Sequence, residues 1–267
     1  MMTSRHLEFD RLPNTRDLGG MRASGGRTIV PGRLIRSGQL YDITSSDLER
    51  ISELVDTVVD FRTEQEKAES PDARIPGSSY HFIPVLESFA KGISREKKSD
   101  EDFIITLARD PEGARLHMCD MYRAFVESDY SLSQYGRFLR ILLEDHDRAV
   151  LWHCSVGKDR AGIGALLVQK ILGVPEEDVI EDYLATNDYV QEGYRKVSAL
   201  VHQKFRSDDP VIDKSMEFFF FANRSYIESF FDSINKRFGS FDAFVRDGLS
   251  LSDEDVALMK QKYLSRS

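Results

Sequence analysis

His153-Cys154-Ser155-Val156-Gly157-Lys158-Asp159-Arg160-Ala161-Gly162 packs an imidazole, a thiol, two cations, a carboxyl and two glycines into ten consecutive residues. Cys154 and Arg160 stand in a Cys-x5-Arg spacing. A thiolate is a strong nucleophile, and a planar guanidinium forks onto two oxygens of one phosphate. Those two groups around a single centre imply attack of sulfur on phosphorus and a phosphocysteine that water later hydrolyses. Arg160 and the amides of Ser155, Val156, Gly157 and Lys158 would carry the developing charge, so the chemistry calls for no metal and no cofactor. Lys158 is expected to make a second phosphate contact, and His153 to orient its neighbours by hydrogen bonding.

This chemistry needs a strand, a tight loop and a helix N-terminus. Ala149-Val150-Leu151-Trp152 reads as a short buried strand, and Ala161 to Leu172 as an apolar helix closed by Gly173 and Pro175. Between them the loop amides and the positive end of the helix converge on one point, a site for a tetrahedral oxyanion. Gly157 and Gly162 permit tight backbone and close helix–strand packing. The segment is not a nucleotide-binding Walker loop, because Gly157-Lys158 lacks both the earlier glycine and a following Ser or Thr.

The rest of the chain alternates strand and helix signals. Thr28-Ile29-Val30 and Arg33 to Ser37 read as a hairpin-like pair about Pro31-Gly32, and Thr44 caps a helix to about Leu54. Thr57 to Arg62 and His81 to Val85 are further strand candidates. Helical spacing marks residues 118–127, 135–144, 176–184, 187–205, 216–238 and 253–263. Residues 87–116 are the most charge-mixed stretch and read as a surface excursion. The pattern predicts an α/β fold: one domain over residues 1–267, a central, mainly parallel sheet flanked by helices, and a helical C-terminal part.

Composition narrows the partners. The 267 residues carry a formal charge of −9, which argues against nucleic acid as a main partner, while a local basic pocket remains open to an anion. Two cysteines, Cys119 and Cys154, are too few for a disulfide scaffold, and Cys119 reads as a core residue of a helix. No apolar run is long enough to span a membrane and the first residues lack a signal-peptide pattern, so a cytoplasmic location is expected.

The decapeptide His153–Gly162 resembles the phosphate-binding loop of the protein tyrosine phosphatases. It is most similar to their bacterial atypical branch, with its H-C-x-x-G-K-D-R-[TA]-G pattern. Asn14-Thr15-Arg16-Asp17-Leu18-Gly19-Gly20, Arg33 to Ser37, Val59-Asp60-Phe61-Arg62, Leu172 to Pro175 with Asp182-Tyr183, and Phe241 to Leu264 extend the likeness over most of the chain. Thr15 departs from a usual aromatic, and Ala161 from a frequent threonine. The resemblance implies a phosphomonoesterase acting on phosphotyrosine in proteins, with phosphoserine, phosphothreonine and phosphoinositides as further substrates. It also implies that part of residues 87–130 forms a helical lid.

Asp159 has two readings: an N-cap of the helix, or the acid that protonates the leaving oxygen, which is the role the resemblance suggests. Asp60 competes for the second role, with a salt bridge to Arg62 or Arg36 as its structural alternative. Arg16 and Asp17 are expected to hold the N-terminal segment against the loop. A catalytically inactive phosphate-binding module and a persulfide-using sulfurtransferase are the competing functions; the intact Cys154–Arg160 pair weighs against the first, and loop length against the second.

Overall fold

A computed structural model describes residues 5–86, 106–207 and 209–266. Six strands form one sheet: β1 (Arg5–His6), β2 (Arg16–Asp17), β3 (Leu34–Ser37), β4 (Val55–Asp60), β5 (Ser79–Phe82) and β6 (Ala149–His153). Their order is β1-β2-β3-β6-β4-β5. The four strands β3, β6, β4 and β5 run parallel, and β1 and β2 add an antiparallel edge. All five residues of β6 are buried, which is why the strand reads as a continuous apolar run.

Side chains alternate across the sheet as a pleated strand requires. Val150 and Trp152 of β6, with Leu34 of β3, join a large core that holds Phe61, Phe138 and Leu166. Ala149 and Leu151, with Ile35, face the other way, into a smaller core with Ile51 and Ile75. Among the described residues the longer helices around the sheet are α1 (Ser45–Leu54), α2 (Glu64–Glu69), α3 (Pro111–Glu127), α4 (Asp129–Ile141), α5 (Arg160–Leu172), α6 (Glu176–Leu184), α7 (Gln191–Phe205), α8 (Pro210–Phe220), α9 (Arg224–Phe238) and α10 (Asp253–Tyr263). Among the described residues no helix is long and apolar enough to cross a membrane.

Three sequence expectations need correction. Thr28 to Val30 forms no hairpin with β3. Ile29 instead bridges Leu264, the Val30 amide donates to the Tyr263 carbonyl at 2.8 Å, and the Ser265 amide to Thr28 at 2.8 Å. Residues 111–116, expected in the surface excursion, instead open α3, which continues through the helix marked at 118–127 and buries Ala114, Met118, Cys119, Tyr122, Phe125 and Val126 along one face. The charged residues Glu112 and Arg115 hid the first turns of that helix. Residues 87–105, where the rest of the expected excursion and lid falls, lie outside the described residues. The predicted helix 216–238 is two helices, α8 and α9, because Asn223 turns to extended backbone and caps α9 through the Ser225 amide. The structure also adds α2, for which the sequence pattern marks no element; it begins in a capping box, Thr63 with Glu66.

A buried ion network ties the sheet to α6. Asp182 accepts from Arg16 Nη1 at 3.2 Å and from Arg36 Nη1 at 3.1 Å, while Gln169 donates at 2.9 Å. Burial lowers the Arg16 guanidinium to about 10, and Asp182 opposes that shift. Arg16 therefore anchors the N-terminal segment to α6 rather than to the loop after β6. Asp17 works locally, accepting from the Gly19 and Gly32 amides. Replacing Asp182 by Asn leaves two buried guanidinium groups sharing no anion, and should cost about 3–5 kcal/mol in urea unfolding. A loss below about 1 kcal/mol would show that the network is not a stabilising unit.

Candidate active site

The loop from Cys154 to Asp159 leaves the C-terminal end of the central strand β6 and enters α5. Three successive carbonyls of this loop are held from outside. The Gln39 amide donates to Ser155 O at 3.2 Å, Asn14 Nδ2 to Val156 O at 2.9 Å, and Arg36 Nη2 to Gly157 O at 2.7 Å. Across a trans peptide the carbonyl and the next N–H point in opposite directions. Carbonyls tied outward therefore turn the amides of Val156, Gly157 and Lys158 toward the inside of the loop. Gly157 takes φ +76°, and a Cβ there would lie 2.7 Å from Ser37 O, so only glycine fits. At Gly162 a Cβ would sit 3.1 Å from Arg36 Nη2.

The start of α5 carries no side-chain cap. Asp159 occupies the N-cap position, yet its side chain makes no capping hydrogen bond. The capping role considered for it is thus not what the carboxylate does, and the first-turn amides keep their capacity to bind. Tyr135 donates to Arg160 O at 3.1 Å and Trp152 Nε1 to Ala161 O at 3.0 Å, which fixes this turn on the core.

Arg160 is held by a residue that sequence reasoning missed. Glu66, third residue of α2, accepts from Arg160 Nη1 at 2.5 Å and from Nη2 at 2.7 Å. Its Oε1 also accepts from Ser155 Oγ at 2.5 Å, and its Oε2 from the Thr63 amide at 2.9 Å. The fork takes one hydrogen from each terminal nitrogen, and Nη2 also reaches Ser155 Oγ at 3.3 Å; among the described residues no hydrogen bond engages Nε–H. Burial pushes the Glu66 carboxyl up, but the hydrogen bonds and charge of Arg160, with Ser155, outweigh it and hold the group at about 2. The Thr63-x-x-Glu66 spacing announces a capping box and says nothing of the second partner.

Asp159 and Lys158 face a second group of side chains. Tyr122 donates to Asp159 Oδ1 at 2.7 Å, and the Tyr122 and Tyr183 hydroxyls lie 2.6 Å apart. Lys158 is buried, donates to Phe219 O at 2.5 Å and lies 3.4 Å from Asp159 Oδ1. Its ammonium is spent on α8 and on Asp159, away from the phosphate contact expected of it. Cys154 is 2% exposed, and Cys119 sits apart in α3, with its thiol 3.7 Å from Ser225 O.

Asp60, itself fully buried, belongs to a third set. It accepts from Arg62 Nε at 3.0 Å and Nη2 at 2.9 Å, and from Tyr80 at 2.6 Å. Burial raises this carboxyl, but His153 and Arg62 together with these hydrogen bonds hold it at about 2. Arg62 donates to both of its oxygens and Tyr80 to one of them, so neither oxygen is open. The salt-bridge alternative describes it, with Arg62 as partner and not Arg36. Arg62 Nη2 also meets Asp72 Oδ2 at 2.7 Å, and His153 Nε2 lies 3.1 Å from the same oxygen. Asp60, Asp72 and His153 could cluster about a cation, and the Arg62 guanidinium already supplies one. His153 Nδ1, 3.4 Å from Cys154 O, links this set to the loop.

The depressed Glu66 carboxyl makes a prediction with a definite sign. Its stabilising contribution is complete above its ordinary value of 4.5 and is lost as pH falls toward about 2. Wild type should therefore lose up to about 3 kcal/mol more stability over that window than Glu66→Gln, read from urea midpoints at each pH. Parallel curves would mean that the Glu66–Arg160 pair contributes nothing to the fold.

Comparison with known proteins agrees with this geometry. Residues 7–265 match the model of the tyrosine phosphatase family. A Cupriavidus necator protein named "putative tyrosine-protein phosphatase" is 32% identical over 268 residues, spanning 98% of this chain and 89% of that one. The triple specificity protein phosphatase PtpB of Mycobacterium tuberculosis is 25% identical over 254 residues, spanning 84% and 88%. A tyrosine-protein phosphatase of Nostoc commune is 28% identical over 169 residues, spanning 61% and 52%. With a parallel sheet whose central strand ends in a Cys-x5-Arg loop of inward amides, and a family match over nearly its whole length, the chain belongs to the tyrosine phosphatase family and is a protein tyrosine phosphatase.

Proposed function

We propose that this phosphatase hydrolyses phosphotyrosine in proteins through a phosphocysteine, with Cys154 as nucleophile, Arg160 and the loop amides as the oxyanion site and Asp159 as general acid. The observation that carries the reading is the outward tethering of three loop carbonyls between Cys154 and Arg160. Inward amides stabilise charge that grows on the phosphoryl oxygens, where preorganised donors have most effect on rate. As Sγ bonds to phosphorus, the bond from phosphorus to the tyrosine oxygen breaks, and Asp159 gives that oxygen its proton. Water then attacks phosphorus, the S–P bond breaks, and Asp159 takes a proton back. Residues 7–265 serve this chemistry as one unit, and no metal or cofactor enters any step.

A wider substrate range is supported by the similarity to a relative named for triple specificity. Lys158 lends that range no support, because its ammonium is engaged by Phe219 and Asp159. Phosphoinositide hydrolysis therefore stands on the resemblance alone. Kinetics on a panel of phosphopeptides and phosphoinositides would rank the substrate classes.

Turnover of p-nitrophenyl phosphate in EDTA separates the enzyme from an inactive binding module. Cys154→Ser should abolish that turnover and still bind orthovanadate; a tenth of wild-type kcat remaining would refute the covalent route. Cys119→Ser should leave it nearly unchanged.

A second expectation concerns breakdown of the phosphocysteine. Ala161 offers no hydroxyl to the departing sulfur, and the Ser155 hydroxyl is committed to Glu66. One missing hydrogen bond to a charged sulfur costs about 1.5–3 kcal/mol, roughly ten- to a hundredfold in that step. Rapid mixing should reveal a burst of aryl alcohol before steady state, and Ala161→Ser should shrink it. A linear wild-type trace would show that hydrolysis of the intermediate is not slow.

A further inference from the structure

Two buried tyrosines on different helices converge on Asp159. Tyr122 of α3 and Tyr183 of α6 are 0% and 1% exposed. Each belongs to the core by its ring, so burial alone explains the rings and not their hydroxyls. A buried hydroxyl must find a partner, and these two find each other and a carboxylate.

Proton counting orients the chain. Tyr122 has one hydroxyl proton and spends it on Asp159 Oδ1, so the 2.6 Å contact has Tyr183 as donor and Tyr122 as acceptor. Burial, and then the charge of Asp159, push the Tyr122 hydroxyl well above its ordinary range, which keeps that proton in place at any working pH. Lys158 Nζ crowds the same oxygen from the other side at 3.4 Å. Both donors address Oδ1, and among the described residues no hydrogen bond reaches Oδ2.

We propose that Tyr122, backed by Tyr183, is the positioning residue of the general acid: it occupies Oδ1 of Asp159 so that the transferable proton resides on Oδ2 and faces the leaving oxygen. The inference rests on Asp159 being that acid. When Sγ bonds to phosphorus and the P–O bond breaks, the Oδ2 proton passes to the leaving oxygen and Asp159 becomes a carboxylate. Tyr122 keeps its own proton throughout. In the second half Oδ2 accepts a proton from the attacking water as the S–P bond breaks, so the acid is restored on the same oxygen. With Oδ1 unclaimed, the proton would distribute over both oxygens and the carboxyl would rotate. Neither tyrosine stands near the loop in sequence, and Tyr122 lies in the helix that spacing marks at 118–127.

The test compares Tyr122→Phe, Tyr183→Phe and Asp159→Asn on phosphotyrosine peptide and on an activated aryl phosphate whose leaving group needs no proton. Tyr122→Phe should lower kcat about ten- to a hundredfold on the peptide and less than about threefold on the activated ester, within the range of general acid catalysis. Tyr183→Phe should show the same selectivity at smaller size, which keeps the test alive if Tyr122→Phe folds poorly. In an Asp159→Asn background, Tyr122→Phe should add no further selective loss, because its target has gone. Equal losses on both substrates, or losses that multiply in the double variant, would overturn the proposal and leave the tyrosines as packing. If Asp159→Asn itself shows no leaving-group dependence, the acid assignment falls and takes the proposal with it. If Asp159→Asn shows it and neither tyrosine variant does, only the positioning role fails.

Discussion

The direction of three peptide carbonyls governs this protein. A loop that is to bind a dianion must present N–H groups inward, and each of those groups is bonded to a carbonyl that must then point outward into protein. Gln39, Asn14 and Arg36 receive the carbonyls of Ser155, Val156 and Gly157 in turn. Their donors come from the segment before β2, the end of β3 and the turn after it, so the sheet must bring residues 14–39 alongside residues 149–157. Arg36 can do this only with Asp182 beside it, since a buried guanidinium needs an anion. The buried ion network thus extends the loop into the body of the fold.

Charge inside the site is paired almost residue by residue, in contrast to the net −9 of the whole chain. Glu66 pairs with Arg160, Asp159 with Lys158, and Asp60 and Asp72 with Arg62. What remains positive toward a substrate is directional: amides, a helix end and one edge of Arg160. Such donors favour a tetrahedral anion by geometry more than by bulk attraction, in keeping with an acidic protein that handles anionic groups.

The loop, its strand and its helix were legible in sequence because each reports locally: an apolar run, a fixed spacing, a glycine stop. The α/β class followed from alternation of such elements. Glu66, Tyr122 and Tyr183 were not legible as site residues, since their functional contacts lie 94, 37 and 61 residues away in the chain. Glu66 sits among Glu64, Gln65 and Glu69 and reads as one more surface acid. Tyr122 reads as one more core position of the helix at 118–127, and no local pattern aims its hydroxyl at Asp159. The long helix expected over 216–238 failed for a different reason: Phe218 to Phe221 carry helical hydrophobicity across a turn that only the Asn223 cap betrays. Asp60 shows the same limit, because no local pattern decides which arginine neutralises a buried carboxylate.

The pairing of Thr28 to Val30 with Tyr263 to Ser265 has a consequence for synthesis on the ribosome. Residues 14 to 39 hold the catalytic loop from below, and their own neighbours are fastened by the last turn of a helix more than two hundred residues later. Contacts of that sequence separation form late and slowly. A nascent chain that already contains Cys154 and Arg160 still lacks the segment that closes over residues 28 to 30. The cradle around the loop after β6 is then completed only once residues 263–265 have been made, and the shorter nascent chain is exposed to the aggregation hazards of a large α/β domain.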